Sequence, residues 1–220
     1  MREVNKHTGK LKNWCVEMPN EPYSKRWLQG EKAKPNKTVI MAKKSKVEVR
    51  YAQIPDDIES IEKLWFDYLV WGNDKMEELY GVHPHNPKEA VEQDIQQISK
   101  FQPPYGQLII AVYEGKICGL GSLKSINSEI GEIKRMFVDP TFRRIGAGRA
   151  ILEGLLVESK KTGYKKVRLD SPKFMEAAHS LYRSFGFRDI EPYPEMEIPA
   201  EFKDYLLFME LDLTDHNNRK

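Results

Sequence analysis

A mixed α/β domain, its mostly antiparallel sheet flanked by helices, is the fold class that this 220-residue sequence predicts. Two patterns carry the prediction. Apolar segments that pair as hairpins fill the first part of the domain, and strand–helix–strand–helix order fills the second. The 174 residues after Lys46 are also enough for one domain with a substantial core.

Val47, Val49 and Tyr51 alternate with polar neighbours, as a half-buried strand requires. Asp56 or Asp57 is placed to cap a helix whose apolar face is Ile58, Ile61, Leu64, Trp65 and Tyr68. A second helix is expected through Val91, Ile95 and Ile98, stopped by Pro103-Pro104. Leu108 to Tyr113, Glu114-Gly115 and Ile117 to Leu123 read as a hairpin with a tight turn. A strand over about 131–138 ends at Asp139-Pro140. It is followed by a helix (147–161), a strand (166–170), a helix (about 172–185) and two short strands (187–190 and 205–213).

Net charge is +2, with 35 Lys+Arg against 33 Asp+Glu, which argues against whole-surface attraction to nucleic acid. The near-neutral total conceals a division: residues 1–46 carry a net +8 and residues 47–220 a net −6. Residues 1–45 read as a basic leader, mobile or partly docked through Trp14 and Trp27, ahead of a domain at 46–213 and a tail at 214–220. The longest apolar run, Leu108 to Tyr113, is far short of the roughly 18 residues of a membrane span. No secretory signal accompanies the sequon Asn36-Lys37-Thr38, so a cytoplasmic location is expected. Cys15 and Cys118 cannot form a disulfide framework or a structural zinc site.

The most informative segment is Glu132-Ile-Lys-Arg-Met-Phe-Val138, Asp139-Pro140 and then Arg143-Arg-Ile-Gly146-Ala-Gly148-Arg149. A strand feeds a basic glycine loop that opens an amphipathic helix. The first amides of a helix lack intrahelical partners, the macrodipole there favours anions, and glycine lets a phosphate approach the backbone. Arg143, Arg144 and Arg149 add charge-assisted donors. Gly148 is followed by Arg149-Ala150 rather than Lys-Ser/Thr, which disfavours a P-loop, and Ile151 stands where a dinucleotide fingerprint needs glycine. A plain loop with surface arginines is the competing reading.

The run Arg143-x-x-Gly146-x-Gly148 after Val138-Asp139-Pro140 resembles the acyl-CoA signature of the GNAT superfamily of N-acetyltransferases. Leu169-Asp170, then Ala178-x-x-Leu181-Tyr182-x-x-x-Gly186-Phe187, and the ending Leu207-Phe208-Met209-Glu210-Leu211 are similar to later parts of that family. The resemblance extends over about residues 46–213. It implies the acyl-CoA N-acyltransferase fold, in which the strand before the loop splays from its neighbour and the pantetheine arm lies in the gap.

By that resemblance acetyl-CoA is the acyl donor. Met136, Phe137 and Val138 would contact its arm, Met136 and Val138 from one strand face. Arg143, Arg144, Ile145, Gly146, Ala147, Gly148 and Arg149 would hold its pyrophosphate, with Ala178 nearby. No metal is implied. An alkyl ammonium is only about 0.1% neutral at pH 7 and must lose a proton before attack, while the departing thiolate needs one. Tyr182 matches the family's acid, on a flank beside an expected stripe of Phe174, Ala177, Leu181 and Phe185; a core tyrosine is the alternative. Glu132, expected on the same strand face as Lys134 and Met136, matches the glutamate some members use as base; an ion-paired strand glutamate, with a water relay instead, is the alternative. Met175 stands where many relatives have an Asn that contacts the cofactor arm.

The expected activity is acetyl transfer to a primary amine of a small molecule, by direct attack in a ternary complex. A protein or peptide acceptor and a silent CoA-binding sensor are the competing readings. Homodimers are common in the superfamily. His83-Pro84-His85 matches no metal spacing and reads as loop, and Cys118 reads as a core thiol. Trp65, Tyr68, Trp71 and the acidic segment 191–197 are candidates for the acceptor side, with core packing favoured for Trp65 and solvation for the segment.

Overall fold

The computed structural model describes residues 46–196 and 199–214. The basic leader with its sequon, Trp14, Cys15 and Trp27, and the tail from 215, lie outside them.

A seven-stranded sheet organises the domain, with strands β1 (Val47–Tyr51), β2 (Gly106–Tyr113), β3 (Lys116–Ser125), β4 (Ile130–Val138), β5 (Lys166–Pro172), β6 (Arg188–Ile190) and β7 (Leu206–Asp212). Their order across the sheet is β1-β2-β3-β4-β5-β7-β6. Only the β4–β5 pair is parallel. Helix α1 (Ile58–Tyr80) and α2 (Pro87–Gln96) follow β1, α3 (Ala147–Thr162) joins β4 to β5, and α4 (Glu176–Ser184) follows β5. The β2–β3 turn places Glu114 (φ 50°) and Gly115 (φ 78°) in the left-handed region, as a tight two-residue hairpin demands.

The sheet buries both faces. On one, Ile151, Leu152 and Leu155 of α3 pack with Val49, Ile109, Ile133, Val167, Leu169 and Met209. On the other, Ile61, Leu64, Trp65 and Leu69 of α1 pack with Val91, Leu108, Ile110, Leu120 and Phe137. Burying a Leu or Ile side chain contributes about 1.5–3 kcal/mol, so this two-sided core is the main force holding the strands in register.

Three local expectations are corrected. The helix expected through Ile98 ends at Gln96, and Ile98–Phe101 forms a separate 3-10 turn that sends Phe101 into the core against Trp65. Asp57 is the N-cap residue of α1, yet its carboxylate makes no capping bond. Instead it accepts both Arg50 Nη atoms at 2.7 and 2.9 Å and the Gln53 N–H at 2.7 Å. In α4 the fully buried residues are His179 and Tyr182; of the expected stripe, Leu181 and Phe185 pack half-buried against the core and Ala177 is exposed. Phe174 precedes the helix and Phe185 caps it, so the two ends of that stripe lie outside the helix it was meant to describe.

Candidate active site

Strands β4 and β5 pair through three residues only, Ile130–Lys166, Gly131–Val167 and Glu132–Arg168. Beyond that point each follows its outer neighbour. Strand β4 stays with β3 as far as Val138–Gly119, and β5 stays with β7 as far as Pro172–Leu206. The sheet therefore opens between them. Met136 and Val138 pack toward α3 and α4 beside this opening, and the Tyr182 hydroxyl lies 3.8 Å from Met136 Sδ. Tyr182 is 6% exposed. Burial pushes its phenol well up, and Tyr68 and Asp170 push it further, so it remains a protonated donor at neutral pH.

At the end of β4 the chain turns through Pro140–Phe142, passes Arg144 (φ 65°) and Gly146 (φ 92°), and enters α3. The first helical bond is Ala150 N–H to Gly146 C=O, 3.0 Å. The amides of Ala147, Gly148 and Arg149 consequently lack intrahelical acceptors, and the cap, being glycine, offers no side chain to them. A Cβ built on Gly146 would meet nothing within 4 Å, so the space over the helix end is open. Arg143, Arg144 and Arg149 surround it, all exposed. Arg143 lies 5.3 Å over the Trp71 ring and Arg149 lies 4.8 Å over Phe185. Free amides, a helix N-terminus and guanidinium groups are the donor set that suits a diphosphate.

The other side of the opening is polar and enclosed. The pairing of β3 and β4 slips between Leu120 and Ser122, opposite Arg135, which has φ 53°. This inserted residue is a β-bulge, and it reverses the strand's alternation. Ile133, Met136 and Val138 all pack on the α3 side, whereas Phe137 packs with Tyr68 and Trp71 on the α1 side. Glu132 and Lys134 thus face away from Met136, correcting the single face expected for them.

Glu132 is fully buried, and Oε1 accepts the Tyr193 hydroxyl at 2.7 Å. Oε2 lies 3.1 Å from Lys124 Nζ without hydrogen-bond geometry. Lys134 donates to Asp170 at 2.9 Å. Arg135 Nε donates to Asp94 Oδ2 at 2.7 Å, and Lys100 donates to Asp94 Oδ1 at 2.8 Å. Burial alone would raise the Asp94 carboxyl, but these two cations outweigh it and hold it below the ordinary carboxylate range. Burial, then Arg135 and Lys134, keep the His85 imidazole below its ordinary value. Burial pushes the Tyr193 phenol up, reinforced by Glu132.

The sequence profile of the acetyltransferase (GNAT) family matches residues 64–187, from α1 through α4. The chain belongs to this family. It is 27% identical over 177 residues to the uncharacterized N-acetyltransferase C1271.07c of Schizosaccharomyces pombe, covering 79% of this chain and 99% of that one. It is 33% identical over 102 residues to the IAA acetyltransferase of Azospirillum brasilense, covering 46% of this chain and 64% of the relative. The fold matches that of yncA, an acetyltransferase from Salmonella typhimurium solved with its cofactor acetyl-CoA, at TM-score 0.55 and 18% identity, over 77% of this chain and 95% of the other. As a GNAT member the chain is an acetyl-CoA-dependent acyltransferase.

Within this GNAT domain the sequence-identified residues fall into separate places. Met136, Val138, Gly148, Leu181 and Tyr182 gather at the opening, and Ala178 packs against the same cluster. Phe137 turns its ring to the α1 side, against Tyr68. Met175 is the N-cap residue of α4, its Sδ accepting from Ser171 Oγ at 3.7 Å. Trp65 is core, and Trp71 stands between Phe137 and Phe174. The acidic segment is only partly solvated: Tyr193 is buried on Glu132 and Glu195 lies 3.4 Å from Arg168. His83, in the loop after α1, lies 3.0 Å from Glu77 of that helix. Cys118 is buried in the α3-side core and donates to Ala111 C=O at 3.4 Å, and burial pushes its thiol up, away from a nucleophile's range.

Sequence reasoning missed Asp94, Arg135, Asp170 and His85 as one group. A bulge leaves no signal in an alternation that reads smoothly from Glu132 to Val138.

No helix among the described residues is long and apolar enough to cross a membrane, and among them no cluster of metal-ligating side chains occurs.

Proposed function

We propose that this chain moves acetyl from acetyl-CoA to the primary amine of a small molecule, by direct attack in a ternary complex. The observation that carries the reading is the position of the Tyr182 hydroxyl, beside Met136 at the place where β4 leaves β5. The amides from Ile145 to Arg149, with Arg143, Arg144 and Arg149, hold the pyrophosphate, and Met136 and Val138 flank the pantetheine arm with the Phe137 backbone between them, the Phe137 ring being turned to the α1 side. The amine nitrogen adds to the thioester carbonyl, the C–S bond breaks, and Tyr182 donates its proton toward the departing sulfur.

The amine's proton leaves by way of Glu132. Because the bulge turns Glu132 away from Met136, a water ordered between carboxylate and amine suits the site better than direct contact. Asp170, coupled electrostatically to both Tyr182 and Tyr68, is the other carboxylate on this route. A small acceptor is favoured over a polypeptide because the charged groups here, Asp94 and Glu132 above all, are buried rather than spread along an open groove.

Thiol release measured across a panel of small amines beside a panel of peptides tests the assignment. Turnover with small amines is the expected result, and turnover confined to peptides would overturn it. Glu132→Gln and Asp170→Asn then identify the base: Glu132→Gln is expected to cause the larger loss of turnover, and a larger loss in Asp170→Asn would transfer the role.

A further inference from the structure

Arg135 occupies the bulge in a left-handed conformation that non-glycine residues seldom adopt, and its side chain reaches across to α2. Of its five donors only Nε is engaged, by Asp94; Nη1 and Nη2 make no hydrogen bond among the described residues. Both Asp94 oxygens are engaged, Oδ2 by Arg135 Nε and Oδ1 by Lys100. The Arg135 side chain is 21% exposed, so bulk water does not fully solvate the open edge of the guanidinium. Lys100, Lys134 and Arg135 stand around the carboxylates Asp94 and Asp170, and Lys134 also lies 3.7 Å from Glu132 Oε1. Tyr68, Trp71 and Phe137 wall this side with aromatic surface.

We propose that the open edge of Arg135 is a carboxylate subsite, and that the acceptor is accordingly an amino acid or a similarly small amine bearing a carboxylate. The inference rests on the small-amine reading above and names its chemical class. Arg135 precedes Met136, whose sulfur touches Tyr182, and consecutive Cα atoms are about 3.8 Å apart. The Arg135 guanidinium and the Tyr182 hydroxyl also share two neighbours, since each interacts electrostatically with both Tyr68 and Asp170, and a carboxylate gripped by the fork is on that ground placed a short molecule's length from the reacting centre. A planar guanidinium fork matches a carboxylate in bidentate geometry. An internal peptide carbonyl offers no such charge beside the amine, which separates a free amino acid from a protein N-terminus.

The test is steady-state thiol release by the full chain at saturating acetyl-CoA. Acceptors are the common amino acids, their carboxamides, and the amines that lack the carboxyl group. The expected result is a preference of about tenfold or more in kcat/KM for the carboxylate form of the best acceptor. Arg135→Met should then lower kcat/KM for that acceptor by roughly 10–100-fold, through KM, and erase the preference, while the KM for acetyl-CoA is unmoved. Arg135→Lys should restore part of the preference, because it keeps the charge without the fork. Wild-type turnover of carboxamides and decarboxylated amines equal to that of amino acids would overturn the subsite and leave transfer to small amines standing. Thiol release with peptides and with no small amine would overturn both. The wild-type comparison stands even if a variant folds poorly.

Discussion

Gly148→Ala should stabilise this domain and weaken its hold on coenzyme A, two effects that packing alone would not set in opposition. Gly148 is the second residue of α3 and does not need a left-handed backbone. A Cβ there would meet Leu181 Cδ2 at 3.6 Å, Val138 Cγ2 at 3.8 Å and Met136 Cε at 3.9 Å, all ordinary contact distances. The folded state can therefore accept the methyl, and alanine gains about 0.5–1 kcal/mol over glycine in a helix. For a domain of this size that is an increase of about 1–4 °C in Tm. The same three side chains border the opening between β4 and β5, so on the proposed placement the methyl intrudes where the donor's arm and diphosphate meet the helix end. Losing one charge-assisted contact to a backbone amide costs about 1.5–3 kcal/mol, or roughly 10–100-fold in Kd. Calorimetric titration with coenzyme A and a thermal melt on the same preparation read the two effects separately. A Kd within twofold of wild type in a protein whose melt is unchanged or raised would refute the placement of the donor, and a lowered melt would refute the packing argument.

Tyr182→Phe removes a hydroxyl whose contact is a thioether 3.8 Å away; turnover should fall about 100-fold or more while coenzyme A affinity and Tm hold, and equal turnover would remove Tyr182 from catalysis. Gly106→Ala drives a Cβ into the backbone carbonyls of Leu123 and Lys100, which cannot yield as a side chain would; a loss above about 2 kcal/mol is expected in denaturant unfolding, with a normal melt refuting it. Burial would raise the Asp57 carboxyl, but Arg50 and the Gln53 N–H outweigh it and hold it below the ordinary carboxylate range. A depressed folded pKa means the stabilisation is present above the unfolded value, about 3.9, and is lost as pH falls through the folded one. Asp57→Asn should accordingly cost about 2–3 kcal/mol at pH 7, with the gap to wild type closing below about pH 4; a gap independent of pH would refute the assignment.

Most of the architecture could be read in the chain because each element carries its own punctuation. Glu114-Gly115 announces the hairpin turn, and the glycine loop announces the start of α3 within a residue of its observed position. The glycine-capped start of α3, where the donor's diphosphate is proposed to sit, was equally legible, since a helix N-terminus is a local feature. The polar group on the α1 side was not. It is assembled by an inserted residue at 135, by a loop from 81 to 86 and by Tyr193 folding back onto Glu132, none of which has a periodicity. Helix α4 shows the opposite failure: a period was present but partly borrowed from Phe174 and Phe185, residues that are not helical.

The extra residue in β4 turns one strand into a partition with different occupants on its two sides. Upstream of Arg135 the strand shows Glu132 and Lys134 to one compartment, and downstream it shows Met136 and Val138 to the other. On the proposed placement, donor and acceptor approach from opposite sides of a wall one strand thick and meet at its open end. Neither would then have to pass the other or leave first, so that placement predicts binding in either order, with no acyl group held on the protein between them.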